Sequence, residues 1–194
     1  MQAALKKIAR SVRPLLILML SFFFDRKYLR GRYFDQSLGG FVWALRSIWT
    51  QNILRISPPR PWPTALTCHI SVPENIYFHP DDLNNFQSPG TYFQNFKACI
   101  HIGHGTYIGP NVGIITANHR AGSLAEHEDG RDVVISENCW IGMNAVILPG
   151  VVLGSGTIVA AGAVVNTSFA QGSCLIGGAP ARVLKLIERV DGCS

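Results

Sequence analysis

Histidine is the side chain that most readily takes and returns a proton near neutral pH, and this chain has six of them. His119 differs from the others because it lies just beyond Ile114, where a regular run of aliphatic residues breaks off. A side chain at such an exit is expected to point into a cleft, although a lone histidine in a surface loop is the alternative. His119 is therefore the candidate general base.

The polar segment HPDDLNN, residues 79–85, is a candidate for binding a hydroxyl-bearing molecule. Its oxygens and amides suit hydrogen bonds to sugar hydroxyl groups, and its candidate binding residues are Asp81, Asp82 and Asn84. Aspartate and asparagine are also ordinary turn residues. The segment is therefore predicted either to bind an acceptor molecule or to shape a turn.

Three further histidines raise the question of a metal site. A catalytic zinc ion needs three converging protein ligands and an open fourth position. His101 and His104 flank Ile102 at turn positions, and His127 lies after the break in the aliphatic run. Turn positions favour surface histidines, so no metal is expected, and metal-dependent chemistry stays an alternative.

A six-residue period indicates the elements that position these residues. The residue two before each aliphatic position is compact, and the residue after it is usually small. One large and one small inward position per six residues suit a three-sided prism whose faces are short strands and whose corners are tight turns. A helix or a β-sandwich would show other periods. The aliphatic positions are Ile102, Ile108, Ile114, Ile135, Ile141, Ile147, Leu153, Val159 and Val165.

We predict an all-β solenoid over residues 65–194. The interval from Ile114 to Ile135 is not a multiple of six, which predicts an excursion loop over residues 115–132. Residues 65–100 are interpreted as irregular opening coils, with Phe96 in phase with the repeat. The end of the chain predicts a short C-terminal helix, containing Val183 and Leu184, that caps the open edge of the solenoid.

Residues 1–64 are predicted to be a helical and apolar region followed by a proline-rich linker. The stretch LLILMLSFFF, residues 15–24, is too short for a membrane span of about twenty residues, and no cleavage site follows it. It is expected either to pack on this or a neighbouring subunit, or to lie in a membrane interface. In the second case residues 1–32 would contact the membrane peripherally, drawn there by their basic residues.

Composition narrows the classes of protein. Hydrophobic residues make up 47% of the chain and charged residues 15%, which excludes disorder. No basic stripe interleaved with aromatics follows the basic N-terminal region, so no nucleic-acid partner is expected. The five cysteines are odd in number and lack CxxC spacing. They indicate buried thiols in a reducing compartment, and we expect a cytoplasmic protein, at the inner face of the membrane if residues 15–24 contact it.

The six-residue repeat, the excursion beginning TANH and the ending GGAPARVLK together resemble the hexapeptide-repeat acyltransferases. The resemblance covers about residues 90–188 and is strongest for the branch of galactoside, maltose, serine and polysaccharide O-acetyltransferases. It implies a left-handed parallel β-helix, a homotrimer, and transfer of an acetyl group from acetyl-CoA to a hydroxyl of a small molecule or glycan. The apolar N-terminal segment favours a sugar or a surface-polysaccharide precursor. Alternatives are a serine O-acetyltransferase, a metal-dependent protein resembling a carbonic anhydrase, and a non-catalytic scaffold.

Motif positions extend the resemblance to individual residues. His119 matches the family's catalytic histidine, and Asn95 matches an asparagine that positions the acceptor hydroxyl. Trp140 matches a tryptophan near the thioester, and Arg182 matches a basic residue near the nucleotide end of CoA. Three small residues beside the CoA arm are matched by Gly142, Ala160 and Gly162. The chain departs from many relatives at Arg120, where they have Asp or Pro, and at Asn166, where they carry a lysine close by. Phosphate binding is therefore expected to depend more on Arg182.

Overall fold

In the computed structural model, which describes residues 12–188, the chain divides into two compact units on either side of the Leu66–Thr67 bond. The second unit is built almost entirely of strands two to six residues long. They are β1 (His69–Ile70), β2 (Ile76–Tyr77), β3 (Tyr92–Gln94), β4 (Ile100–Ile102), β5 (Tyr107–Ile108), β6 (Gly113–Ile115), β7 (His119–Arg120), β8 (Ser123–His127), β9 (Val133–Ile135), β10 (Trp140–Ile141), β11 (Val146–Ile147), β12 (Val152–Leu153), β13 (Ile158–Val159), β14 (Val164–Val165), β15 (Cys174–Gly178) and β16 (Ala181–Leu186).

Three sheets make up the faces of this unit, in the orders β1–β3–β6–β11–β14, β2–β4–β9–β12 and β5–β10–β13–β15–β16. From β9 to β14 successive strands visit the three sheets in fixed rotation, so three strands make one coil. Parallel partners in neighbouring coils are eighteen residues apart, as Ile141 and Val159 are. The predicted β-solenoid is therefore confirmed as a three-sided stack of parallel coils, while its left-handed sense stays a prediction.

The inward-facing positions predicted from the period are buried. Each of the nine aliphatic residues from Ile102 to Val165 has at most 4% of its surface exposed. The compact residues two positions earlier, such as Cys139 and Ala145, are buried beside them. Full burial of one aliphatic side chain stabilises a fold by roughly 1.5–3 kcal/mol. This continuous apolar column is therefore the core that holds the coils together.

The opening coils depart from the predicted phase at one position. Phe96 is 38% exposed, and Phe93 fills the core instead. Phe93 and Ile102 are inward residues of successive strands but lie nine residues apart rather than six, because the turn between β3 and β4 is longer than a regular corner. The longer turn shifts the inward phase by half a period.

The excursion predicted from the broken interval is present. The chain leaves the coil after β6 and forms an antiparallel hairpin of β7 and β8 before it returns at β9. Ile114 and Ile147 are partners in neighbouring coils, yet they are 33 residues apart rather than eighteen. The hairpin is therefore an insertion between two coils of the solenoid.

The predicted C-terminal helix is wrong. The chain turns between Gly178 and Ala181 and runs back as β16, antiparallel to β15, with Arg182 opposite Gly177. The open edge of β15 offers unpaired backbone groups, and pairing with them satisfies both strands at once. The spacing of Val183 and Leu184 fits a strand as well as a helix, so the available edge decides the outcome. A strand thus provides the cap that was assigned to a helix.

Helices make up more than half of the described part of the first unit, up to residue 53. Residues 12–20 form helix α1, Gly39–Ile48 form α2, and single helical turns lie at Arg26–Tyr28, Arg32–Gln36 and Trp49–Ile53. The second unit adds short 3-10 helices at Pro73–Asn75 and Pro80–Phe86. Within residues 12–188 no helix has both the length and the apolar character that crossing a membrane requires. Residues 1–11 of the predicted membrane-contacting segment lie outside the described residues.

Candidate active site

The hairpin of the excursion fixes the orientation of His119. This side chain is exposed on β7, and its Nδ1 lies 2.8 Å from the carbonyl oxygen of Leu124. A carbonyl oxygen only accepts hydrogen bonds, so Nδ1 carries the proton and donates it. Nε2 of the neutral ring then holds a free lone pair. The arrangement provides the tautomer and the ring orientation that a general base requires.

A second imidazole lies against the first. His127 is the cross-strand partner of His119, with the ring centroids 4.2 Å apart and the planes inclined by 36°. Phe96 meets His127 edge-on, with 4.9 Å between centroids. Phe96, His127 and His119 form what we call the aromatic stack. The sequence does not predict this role for His127 and Phe96. The six-residue repeat predicts which residues meet inside the coils, and the excursion lies outside the repeat.

Gln94 holds the root of the excursion. Its Nε2 donates to the carbonyl oxygen of Ala117 at 2.9 Å, and its Oε1 accepts from the N–H groups of Thr116 and Ala117 at 3.0 and 3.2 Å. The returning chain adds a bond from the N–H of Arg131 to the carbonyl oxygen of Thr116. These bonds end two residues before His119. Gln94 is therefore a positioning residue, and nothing in its sequence context distinguishes it from any other strand-end glutamine.

Arg120, which departs from the family pattern, is engaged within the hairpin. Its guanidinium donates to the carboxylate of Glu126, and both side chains are more than half exposed. An exposed ion pair of this kind adds little stability. Its effect is to direct the arginine along the hairpin, beside the aromatic stack.

The predicted CoA-contacting residues lie on one face. The sheet register places Gly142 beside Ala160, Ala160 beside Gly177, and Gly177 opposite Arg182. We call the line of Gly142, Ala160 and Gly177, with Arg182 at its end, the small-residue row. A Cβ added to Gly142 would meet the backbone nitrogen of Ala161 at 2.6 Å, so only glycine fits there. Gly142 and Gly177 are buried, Ala160 is half-buried, and the row ends at the exposed Arg182.

The remaining two predicted positions flank this row. Trp140 lies two residues before Gly142 on β10, and its side chain is 56% exposed on the outer face of the sheet. Gly162 lies at the next corner with a φ of +72°, a conformation that glycine adopts without strain. The structure thus gathers all five predicted CoA-contacting residues on or beside one sheet, and their contact with CoA stays a prediction.

Two predicted polar site residues belong to the scaffold of the coils. Asn95 is fully buried, where its Oδ1 accepts from the N–H of Val72 at 3.0 Å and its Nδ2 donates to the carbonyl oxygen of Val72. Asp82 is 1% exposed and accepts from the N–H of Gly105 and from Nδ1 of His104. Buried polar groups paired in this way stabilise turns. Neither side chain presents a surface to an acceptor in this chain, whereas Asp81 and Asn84 are only half-buried.

The three histidines considered together as metal ligands have separate surroundings. His101 stacks on Tyr77 with 4.8 Å between ring centroids. His104 lies against His79 at 4.3 Å, and His127 belongs to the aromatic stack. Within one chain the described contacts do not join them into a three-histidine site.

Comparison with known proteins places the chain in a family. Residues 132–167 match the model described as bacterial transferase hexapeptide (six repeats). A protein from Dictyostelium discoideum, provisionally named an acetyltransferase, is 36% identical over 130 residues, which cover 60% of this chain and 68% of the relative. The chain belongs to the hexapeptide-repeat transferase family. It spans about half the length of the two yeast relatives that it matches, 51% and 49%.

Two further similarities bear on chemistry. The galactoside O-acetyltransferase of Lactococcus lactis is 28% identical over 132 residues, which cover 61% of this chain and 63% of that protein. Among solved structures, a hexapeptide-repeat-containing acetyltransferase of Vibrio cholerae O1 biovar eltor, complexed with acetyl coenzyme A, is similar with a TM-score of 0.51 and 25% identity. That similarity covers 94% of this chain and 88% of the other.

Proposed function

We propose that this protein is an acetyl-CoA-dependent O-acetyltransferase that acetylates a hydroxyl of a sugar or of a surface-polysaccharide precursor. The observation that carries the proposal is the anchored imidazole of His119, an exposed side chain whose Nδ1 is held by the Leu124 carbonyl. An exposed, oriented imidazole with a free lone pair can act as a general base for a bound hydroxyl group. The similar Vibrio cholerae protein, whose structure holds acetyl coenzyme A, supports the choice of acyl donor.

The proton moves through one atom of His119. Acetyl-CoA supplies an activated acetyl group as its thioester. Nε2 takes the proton of the acceptor hydroxyl as that oxygen attacks the thioester carbonyl carbon. When the C–S bond breaks, the proton returns from Nε2 to the departing CoA sulfur, so the imidazole ends neutral. Throughout the cycle the Leu124 carbonyl holds Nδ1–H, and its partial negative charge favours the imidazolium that forms between the two transfers.

The small-residue row supports the assignment of the CoA site. Ala160 is half-buried and carries only a methyl group, so an extended arm can lie close to the sheet backbone there, in line with Gly142 and Gly177. Arg182 at the end of the row supplies a charge for phosphate oxygens, which a guanidinium binds in a bidentate manner. Trp140 contributes a broad apolar surface beside the row.

The acceptor is assigned by class. The similarity to a galactoside O-acetyltransferase supports a sugar hydroxyl. Asp81 and Asn84 remain the candidates for binding it, because both are half-buried at the surface of the 3-10 helix Pro80–Phe86. We leave Asn95 and Asp82 out of the proposed acceptor site, because their side chains are buried and bonded within the coils.

A homotrimer is part of the proposal. In the second unit, large apolar side chains remain exposed on one sheet, including Tyr107 at 49%, Trp140 at 56% and Leu186 at 72%. Apolar side chains clustered in this way call for a covering partner. Neighbouring copies of the same chain would cover this sheet and complete the cleft that the family resemblance implies. Light scattering on the purified full chain tests this: a mass of three chains supports it, and a monomer contradicts it.

We also propose that the first unit attaches the protein to the cytoplasmic face of a membrane. Within α1 and the turn after it, Leu18, Met19 and Phe22 are 57%, 56% and 82% exposed, and the basic residues Arg26 and Lys27 follow. Apolar and cationic groups side by side suit an interface with anionic lipid. Such a location suits an acceptor that is a surface-polysaccharide precursor.

Calorimetric titration of acetyl-CoA into the full chain tests the central claim without knowledge of the acceptor. We expect saturable binding with one site per chain, in wild type and in His119→Ala alike. A panel of sugars, amino sugars and serine then identifies an acceptor by release of free CoA thiol. With that acceptor, His119→Ala is expected to lower kcat by about 10²- to 10⁴-fold, the range of a lost general base.

His69→Ala is the matched control, since His69 is an exposed histidine that stacks on Tyr92 of the opening coils. It should keep wild-type turnover. Failure of the folded protein to bind acetyl-CoA would overturn the transferase assignment. Normal turnover by His119→Ala would leave the transferase standing and remove His119 as its base.

A further inference from the structure

A second group of reactive side chains lies where the excursion rejoins the solenoid. Sγ of Cys99, a ring nitrogen of His101 and a carboxylate oxygen of Asp132 all lie within 4.8 Å of one another. Cys99 and His101 are half-buried, and Asp132 is exposed. We propose that these three residues bind a zinc ion, in a site separate from the one assigned to acetyl transfer.

Strand register brings the three side chains together. Ile100 pairs with Val133, so Cys99 and Asp132 lie side by side as the residues that precede β4 and β9. Side chains two residues apart on a strand share a face, and His101 therefore projects on the same side as Cys99. The inward-facing neighbours Ile100 and Ile102 fix that side as the outer one. His101 thus lies on β4, and Cys99 and Asp132 lie directly before paired strands of the coils.

Two of the candidate ligands, Asp132 and His101, are also oriented by neighbours. Oδ1 of Asp132 accepts from the N–H of Cys99 at 2.8 Å, and Oδ2 of Asp132 lies 3.9 Å from Nε2 of His101. The His101 ring stacks on Tyr77 with its plane only 8° from parallel. Contacts of this outer kind hold ligands in place at metal sites and raise affinity.

The ligand types favour zinc. A thiolate, an imidazole and a carboxylate form the borderline-soft set that Zn²⁺ binds, whereas Mg²⁺ and Ca²⁺ prefer oxygen alone. Tetrahedral zinc with bonds of about 2.0–2.3 Å separates its ligand atoms by about 3.3–3.6 Å. Side-chain rotations would have to close the 3.9 Å between His101 and Asp132, and separations of up to 4.8 Å within the group, to that range. Three protein ligands leave one position for water.

A second group, made of His79, Asp81 and His104, lacks these advantages. It has no thiol, and Nδ1 of His79 is already the acceptor for the N–H of Asp81 at 3.2 Å. Nδ1 of His104 is held by the buried Asp82. This group is therefore the natural comparison site rather than the proposed one.

Metal at the proposed site would tie together the two ends of a 34-residue segment that contains the whole excursion. Cys99 precedes β4, and Asp132 is the last residue before β9. A ligand that binds only the folded state raises its stability with concentration. Zinc is therefore expected to raise the midpoint of thermal unfolding and to restrain the return of the chain that carries His119.

Cobalt titration of the metal-free, reduced full chain tests the proposal, because Co²⁺ reports thiolate coordination by a near-ultraviolet charge-transfer band. We expect this band to appear in wild type at one Co²⁺ per chain and to disappear on addition of Zn²⁺. Cys99→Ser should abolish it. Asp132→Asn should keep the band but weaken Co²⁺ binding by at least about tenfold, the lower end of the loss caused by removing even an outer-shell partner.

Two matched variants complete the test. His104→Gln perturbs the comparison site, and Cys193→Ser removes a thiol outside the described residues; both should leave the band unchanged. A band that is absent from wild type, or that survives in Cys99→Ser, overturns the proposal. A zinc-induced rise in the unfolding temperature that persists unchanged in Asp132→Asn does so as well. None of these readouts depends on acetyl transfer, so this inference and the proposed function fail separately.

Discussion

At the scale of single residues, His119 needs one ring orientation, a free Nε2 and an environment that tolerates a transient positive charge. The Leu124 carbonyl, 2.8 Å from Nδ1, provides the first two. His127 bears on the third, because its ring lies 4.2 Å from that of His119 and offers a π face to the imidazolium. An aromatic face near a cation contributes about 0.5–1 kcal/mol at an exposed site.

This geometry predicts that the aromatic ring at position 127, rather than its nitrogen atoms, supports catalysis. His127→Ala removes the stack and should lower kcat roughly 10- to 100-fold, the cost of a misplaced catalytic group. KM should change little. His127→Phe keeps an aromatic face and should retain most of the activity, with the pH profile of kcat unchanged. If His127→Phe is as damaged as His127→Ala, the second imidazole takes part in proton transfer itself.

A buried thiol gives a prediction for pH dependence. Cys139 is 1% exposed in the apolar column, and this burial raises the pKa of its thiol above the ordinary value. Above the ordinary thiol pKa the unfolded state loses its proton while the folded state keeps it. The contribution of Cys139 to the free energy of unfolding should therefore be fully present below the ordinary thiol pKa. It should be lost as the pH rises from there through the raised pKa of the folded state.

The variant Cys139→Ala removes this alkaline loss. Alanine already fills the equivalent inward position at Ala145 and Ala163, so the repeat itself shows that it fits. When the pH is raised from neutral to above the ordinary thiol pKa, we expect the unfolding temperature of the variant to fall less than that of wild type. Parallel curves for wild type and Cys139→Ala would show that Cys139 does not titrate differently on unfolding.

Residue type alone separates site from scaffold poorly in this chain. The sequence predicts His119 as the base because a histidine at the break in a repeat has few structural uses. It also predicts Asn95 and Asp82 in the site, whereas the structure pairs both with backbone groups of neighbouring turns. An amide or a carboxylate serves either purpose with the same atoms. The difference lies in burial, which the irregular opening coils do not encode as a period.

At the scale of elements, a buried asparagine joins the 3-10 helix Pro80–Phe86 to the coil beside it. Nδ2 of Asn85 donates to the carbonyl oxygen of Thr106, and Oδ1 accepts from the N–H of Ile108, both at 2.9 Å. Asn85 is fully buried. The helix that carries Asp81 and Asn84 is therefore held to the coil by its own buried side chains Asn85 and Asp82 rather than by strand pairing.

The variant Asn85→Ala should destabilise the fold. It leaves a buried carbonyl and a buried N–H without their partner, at a cost of about 1–3 kcal/mol each when a group stays unsatisfied. Asn84→Ala is the matched control, because Asn84 is adjacent but half-buried and its bond from Nδ2 to Oδ1 of Asn85 is long, at 3.4 Å. Its effect should lie within about 0.5 kcal/mol. Urea unfolding of both variants measures the difference. Equal stability of Asn85→Ala and Asn84→Ala would show that the helix does not depend on the two hydrogen bonds of Asn85.

Elements inside the repeat were predictable and elements outside it were not. Nine aliphatic positions at a fixed period define the coils, because each must fill the same narrow core. The C-terminal cap has no such constraint, and the spacing of Val183 and Leu184 suits either helix or strand. Only the open edge of β15 decides between them. The hairpin of β7 and β8 likewise follows from backbone pairing. The interval between Ile114 and Ile135 predicts that an excursion exists but not that it forms a hairpin.

At the scale of the whole molecule, charge is divided unevenly between the two units. Residues 1–66 contain eleven Lys and Arg against two Asp and Glu, a net charge of +9, whereas residues 67–194 contain six against ten, a net charge of −4. The basic unit also holds an open apolar groove of about 520 Å³, lined by residues that include Leu16, Met19, Phe23 and Leu45. Positive charge and exposed apolar surface in one unit are the two ingredients of reversible binding to anionic lipid.

The full chain should therefore sediment with vesicles that contain phosphatidylserine and remain in the supernatant with neutral phosphatidylcholine vesicles. Added salt should weaken the binding, since exposed charges are screened. Phe22→Ser removes the most exposed aromatic side chain of the unit, and Arg26→Glu with Lys27→Glu reverses two adjacent charges. Each change should reduce vesicle binding at least severalfold, because each removes a contribution of about 1 kcal/mol or more.

Leu124→Ser is the matched control for loss of an exposed apolar side chain, since Leu124 is 77% exposed and lies in the acidic second unit. It should bind vesicles as wild type does. If wild type binds neither kind of vesicle, the apolar segment packs against protein, and Phe22→Ser should then alter the assembly state seen by light scattering. If Leu124→Ser and Phe22→Ser lose binding equally, lipid attachment is not a property of the basic unit.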